Sequence, residues 1–261
     1  MTGPTGPIGP TSPRPPTWLF LSDLHLGDGS GADDFGPSPQ PSPGGRGISP
    51  PQASPGGRGQ GEGGRADRDL IAFCARAKAR RDRVVVVGDL FDLYQAGLAD
   101  IEKAHGEAIE ALMSVIYCYV AGNHDWDMLD RKFFGVQAVP LLIEDGILVM
   151  HGHQADPEVR KWPKTARAVS GVVGFFERFV HHDFDRWAEG VQAWFSRTGR
   201  HGQNRRYVAP LSRLAIEHDC HSVVFGHTHQ LALGLKGPQG LRLSNCGTWT
   251  DGRRDFIMTG G

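Results

Sequence analysis

Five short apolar runs along the chain each stop abruptly in polar residues. Residues 18–21 run into SDLHLGD, 84–87 into GDLFD, 116–120 into AGNHD, 147–150 into HGH, and 223–225 into GHTH. Continuous runs of this length, rich in β-branched side chains, predict strands covered on both faces. Between several of them the apolar spacing lengthens to three or four residues, which predicts helices over 67–79, 101–113 and 204–218. That alternation predicts a layered α/β domain, where ligands collect at the loops leaving the carboxyl ends of strands. All five polar clusters sit at such ends.

Other segments follow a different rule. Residues 1–16 are dense in Pro, Gly and Thr and too poor in apolar side chains to offset ordering entropy, so a disordered tail is expected there. A second such stretch, 28–66, carries SPGGRG twice, at 42–47 and 54–59, and reads as a disordered insertion in a surface loop. Closing a longer loop costs only logarithmically more entropy, so the fold can carry it. Residues 17–261 are then expected to form one domain.

A helical cap is expected over about 154–206. Within it Val169, Val172, Phe176, Phe179, Trp187, Val191 and Trp194 recur at mostly helical spacing, with a break near 181–185. This aromatic face either packs on the domain or forms an acyl-chain groove or membrane-facing lid. Basic residues at Arg160, Lys161, Lys164, Arg167 and Arg178 favour the second option by offering charge to anionic lipid or phosphate.

Composition removes several function classes. A net charge of -1 gives no general attraction to polyanions, so no nucleic-acid partner is expected. Cys74, Cys118, Cys220 and Cys246 show no CxxC spacing, which suits a reducing cytoplasm. The amino-terminal stretch lacks the charged-then-apolar order of a signal peptide, and no apolar run approaches the roughly 20 residues that span a bilayer. Peripheral contact with an inner membrane stays open.

The candidate chemistry lies in the five clusters. They supply Asp23, His25, Asp89, Asn123, His151, His227 and His229, all oxygen or imidazole donors at strand exits. Singly, each is explained by a turn or a solvated loop. Together they exceed what one four-coordinate zinc site needs and suit two divalent cations, with Asp89 the candidate bridge. Mixed carboxylate and imidazole donors suit manganese, iron or zinc better than calcium.

The ordered series DLH, GDLFD, GNHD, HGH and GHTH resembles the calcineurin-like metallophosphoesterase superfamily. The resemblance implies a layered β-sandwich core flanked by helices, and hydrolysis of a phosphate ester or pyrophosphate by activated water. It implies that Asp23, His25 and His229 hold one cation, that Asn123, His151 and His227 hold the other, and that Asp89 lies between them. His124 resembles the family histidine that approaches the scissile phosphate, with Asp125 expected to orient it. His153, Arg205 and Arg206 are candidate substrate contacts.

The segments SDLHLGD, GDLFDLY and LRLSNCGTW further resemble the UDP-2,3-diacylglucosamine hydrolase branch, which cleaves a nucleotide-sugar pyrophosphate in lipid A biosynthesis. His124 stands where that branch usually has Arg, His153 where it has Asp, and Tyr94 where it often has Trp. A phosphatase or phosphodiesterase with a soluble substrate, and a non-catalytic scaffold on the same fold, remain as alternatives.

Overall fold

The computed structural model describes residues 17–29, 63–155, 203–250 and 252–259. The proposed cap is therefore outside the described residues, apart from its edges at 154–155 and 203–206.

The first sheet runs in the order β11-β1-β2-β3. Here β1 is Trp18–Leu21, β2 Arg83–Val87, β3 Ile116–Val120 and β11 Ile257–Thr259. Strands β1, β2 and β3 are parallel, and β11 lies antiparallel to β1. A second sheet, built from β6 (Leu142–Glu144), β7 (Ile147–Val149), β8 (Ser222–Phe225), β9 (Ala232–Lys236) and β10 (Arg242–Asn245), has the order β6-β7-β8-β10-β9. Its three middle strands are parallel and its outer two antiparallel. A small ribbon pairs β4 (Lys132–Phe133) with β5 (Val136–Gln137).

Successive strand side chains point to opposite faces, and that rule builds the layers. Phe20, Val85, Val87 and Val120 from the first sheet meet Val149, Val224 and Cys246 in a core between the sheets. Leu19, Leu21, Val84 and Val86 face the other way, onto α1 (Gly63–Arg80) and α2 (Leu98–Met113) through Leu70, Phe73, Ile101, Ile109 and Leu112. On the far side, Leu148, Val223, Phe225 and Leu243 pack on α3 (Gln203–Glu217) through Tyr207, Leu211 and Ala215. The result is a helix/sheet/sheet/helix sandwich, the layered α/β architecture expected. Each fully buried Val, Leu or Phe in it contributes roughly 1.5–3 kcal/mol.

Two expected boundaries shift. Helix α1 begins at Gly63, inside the segment 28–66 assigned to the insertion, because Ala66 belongs to the same buried face as Leu70, Phe73 and Ala77. Residues 203–206, assigned to the cap, form the first turn of α3. No helix among the described residues is long and apolar enough to cross a membrane.

Candidate metal centre

The carboxyl ends of the parallel strands in both sheets meet at one edge of the sandwich, and cross-sheet hydrogen bonds close the seam. The His151 ring nitrogen Nδ1 lies 2.8 Å from the carbonyl of Val87. His227 donates its backbone N–H to Asp23 Oδ2 at 3.0 Å, and the Thr248 hydroxyl donates to the Asp23 carbonyl at 2.9 Å. Ser22 Oγ lies 2.5 Å from Asp23 Oδ2. With Oδ2 held in this way, Asp23 Oδ1 is turned toward the histidines.

The donors converge in two groups, and a third set, His25, Asp89 and His124, links them. Ligating atoms of Asp23, His25 and His229 all lie within 4.8 Å of one another, as do those of Asp89, His151 and His227. Within the first group His229 Nε2 is 3.2 Å from both Asp23 Oδ1 and His25 Nε2. In the second, His151 Nε2 is 3.1 Å from Asp89 Oδ2, which is also 3.8 Å from His25 Nε2. Asp89 thus faces both groups. Asn123 precedes His124, whose backbone N–H donates to Asp89 Oδ1 at 2.9 Å, and its own side-chain oxygen is buried without a hydrogen bond.

The backbone is contorted to aim these groups. Asp23, His25, Asp89, His227 and His229 all adopt left-handed conformations, with φ of 54°, 49°, 51°, 70° and 55°. For non-glycine residues each such conformation costs on the order of 1–3 kcal/mol and persists only where surrounding contacts enforce it. Glycine serves a second purpose here. A Cβ on Gly88, itself at φ 86°, would overlap the His151 ring, and one on Gly122 would overlap the Asp89 carboxylate.

Charge is arranged to match. Burial alone would lower the pKa of His151, but the Asp89 and Asp23 carboxylates outweigh it and carry it up to about 10. Burial would raise Asp23, yet His229 and His151 bring it down to about 2. His25 is lowered to about 4 by burial and by the neighbouring His124 charge. Without a cation, protons on the imidazoles balance the two carboxylates.

The cluster passes a simple test for a cation site. Asp23 Oδ1, Asn123 Oδ1 and His151 Nε2 are buried and make no hydrogen bond of ordinary geometry, although His229 and Asp89 stand 3.2 and 3.1 Å from the first and last. Buried polar atoms are satisfied in more than about 90% of cases, so buried donor atoms that the protein itself satisfies poorly suit a further partner. Each carries a lone pair that a divalent cation would accept.

His124 stands at the rim, its side chain 26% exposed, with its ring 4.6 Å from that of His25. Asp125 does not orient it. The Asp125 carboxylate accepts the backbone N–H groups of Leu90 and Gly122, each at 2.6 Å, and the Tyr119 hydroxyl. It therefore ties together the loops after β2 and β3. Asp92 takes the role instead, with Oδ1 3.0 Å from His124 Nδ1. Asp92 was visible as the last residue of GDLFD, but sequence adjacency favoured Asp125.

His153 lies by the cluster, buried edge-on against Trp126, with its ring 5.5 Å from that of His151. Arg205 and Arg206 are exposed on the first turn of α3, and it is their neighbour Asn204 that turns in toward the GHTH loop. Ser22, Asn204, Asn245 and Thr248 form a supporting layer that no spacing in the sequence announced.

A fold of two stacked sheets with a mixed carboxylate and imidazole cluster at the strand exits defines a metal-centred α/β class. Residues 17–231 match the calcineurin-like phosphoesterase family, a span that takes in all five clusters, and the chain belongs to that family. Among solved structures it is similar to a dimetal phosphatase from Danio rerio, at 10% identity and TM-score 0.48, covering 95% of this chain and 93% of that one. It is also similar to Vacuolar Protein Sorting 29 from Cryptosporidium parvum, at 16% identity and TM-score 0.42, covering 95% and 87%. A third likeness is to phosphopantetheinyl hydrolase from Mycobacterium tuberculosis, at 14% identity and TM-score 0.37, covering 91% of each. No curated protein matches the sequence. None of these likenesses assigns a substrate.

Proposed function

We propose that the protein hydrolyses a phosphodiester or pyrophosphate bond at a centre holding two divalent cations, with manganese first among them and iron or zinc as alternatives. Asp23, His25 and His229 hold one cation, Asn123, His151 and His227 the other, and Asp89 serves both. The convergence of ligating atoms from Asp23, His25 and His229, and from Asp89, His151 and His227, each within 4.8 Å, carries this reading. Two cations there would supply acidity to an attacking water and charge to the phosphoryl oxygens.

The chain's own residues supply the rest. His124 has Nδ1 committed to Asp92, so Nε2 is the atom left to meet substrate. In the metal-free protein burial lowers its pKa, but Asp89 and Asp92 more than compensate and raise it to about 9; with Asp89 engaged by cations, Asp92 is the carboxylate that favours a proton on the ring. That proton passes to the leaving oxygen as the phosphorus–oxygen bond breaks. His153 stands beside the second donor group as a contact for substrate, and Arg205 and Arg206 extend that contact from the start of α3.

For the natural substrate we put UDP-2,3-diacylglucosamine first, on the strength of SDLHLGD, GDLFDLY and LRLSNCGTW. The aromatic segment that would receive its acyl chains, and any membrane contact it makes, lie outside the described residues. Four free cysteines support a cytoplasmic location. A soluble phosphate ester is the second reading, and His124 in place of the branch's arginine favours it.

Hydrolysis of bis-(p-nitrophenyl) phosphate by the metal-free protein supplied with manganese tests the activity. Silence with manganese, iron and zinc alike would leave only a scaffold. Turnover of diacylated and deacylated UDP-sugars, side by side, separates the substrates: equal rates would remove the acyl-chain reading.

A further inference from the structure

We propose that Asn204 is a positioning residue for the histidine pair of the GHTH loop, acting through Thr228 and Asn245; this rests on the reading of that loop as part of a two-cation site. Asn204 comes from the first turn of α3, Asn245 from the end of β10, and Thr228 lies between the two histidines.

The three side chains grip the loop from behind. Asn245 Nδ2 donates to the carbonyl of Gly226 at 2.7 Å, and Asn204 Nδ2 donates to that of Gln230 at 2.9 Å, so the loop is bracketed at both ends. In the middle, the Thr228 hydroxyl donates to Asn204 Oδ1 at 2.7 Å and accepts from Asn245 Nδ2 at 3.0 Å. The two amides also meet directly at 3.3 Å. Asn245 Oδ1 accepts the Gly247 N–H at 2.8 Å, which ties the network to the β10 exit. Asn245 is fully buried and Asn204 nearly so.

A buried amide network with its partners in place holds one geometry, and removing one partner leaves the others unsatisfied. The geometry held here is demanding. His227 and His229 both sit at left-handed φ, and they face different donor groups on either side of Asp89. Thr228 points the opposite way into the network, so its hydroxyl anchors both imidazoles at once. Loss of that anchor lowers affinity at both cation sites together, although neither Thr228 nor Asn204 touches a cation.

Manganese titration of the metal-free full chain by calorimetry tests this, with circular dichroism to confirm folding. The wild-type protein is expected to take up two ions. Thr228→Ser keeps the hydroxyl and should bind like wild type, while Thr228→Val removes it and should weaken both sites by roughly 10- to 100-fold. Asn204→Ala should behave like Thr228→Val, and carries the comparison if the valine variant does not fold. Thr228→Val binding two ions as tightly as wild type, or Thr228→Ser losing as much as Thr228→Val, would overturn the proposal while leaving the two-cation site intact. A wild-type chain that takes up fewer than two ions would overturn both.

Discussion

The buried donors of the centre and its loop histidines are held in different ways. His151 is fully buried, with one ring nitrogen on the Val87 carbonyl and the other 3.1 Å from Asp89. His229, in the other group, has a side chain 39% exposed and rests on Asp23 and His25 at the mouth of the site. Each group sets two donors inside the seam between the sheets, Asp23 and His25 in one and Asp89 and His151 in the other, where packing leaves their geometry little freedom. Each is completed at the rim by one histidine of the GHTH loop, His229 or His227, where the loop must be restrained by hydrogen bonds and where substrate would arrive. A site of this kind places its rigid half in the core and its accessible half on a braced loop.

Asp89 is the carboxylate that faces both groups, so its loss should weaken both at once. Asp89→Asn is expected to lower turnover of bis-(p-nitrophenyl) phosphate by roughly a thousandfold or more and to reduce bound metal below two ions per chain. Activity within tenfold of wild type would show that the groups do not depend on a common carboxylate.

Removing one histidine from each half should separate them by stability. In the metal-free protein, His151→Ala breaks a buried ion pair and is expected to cost about 3 kcal/mol. His229→Ala, at a half-exposed position, should cost about 1 kcal/mol or less. Urea denaturation measures both, and equal losses would deny the contrast between core and rim.

Asp92→Asn tests the rim alone. The Asp92 carboxylate favours the charged form of His124, so its neutralisation should move the His124 titration downward from about 9 in the metal-free protein, read by NMR. Turnover should fall by roughly 10- to 100-fold. An unchanged titration midpoint would remove Asp92 from the role assigned to it.

The last contrast concerns protons. His151 and His229 both have raised pKa values beside the carboxylates, so each must release its proton before it can bind a cation. Metal affinity should therefore rise with pH below about 10, by up to about tenfold per unit for each proton released. Calorimetry in buffers of different ionisation enthalpy counts those protons, and a count of zero would contradict the electrostatics described above.

Much of the site was legible in advance because its donors directly follow apolar strands, and strand order brings strand exits together. The supporting layer was not legible. Asp125 is next to His124 in sequence, yet its carboxylate folds back onto the Leu90 and Gly122 amides, and Asp92, 32 residues away, reaches the imidazole instead. The edge strands escaped notice for a related reason. In β9 the pattern ALGLK leaves Leu233 67% exposed, and such a strand carries no continuous apolar run.

The sequence by itself determined the kind and order of the donors, and the two-sided burial of the parallel strands that present them, since both depend on local residue type and period. Only the tertiary structure decided which carboxylate holds His124 and how Asn204 and Asn245 brace the histidine loop. Those contacts join residues far apart along the chain, and their geometry exists only once two sheets have stacked and their exits have met.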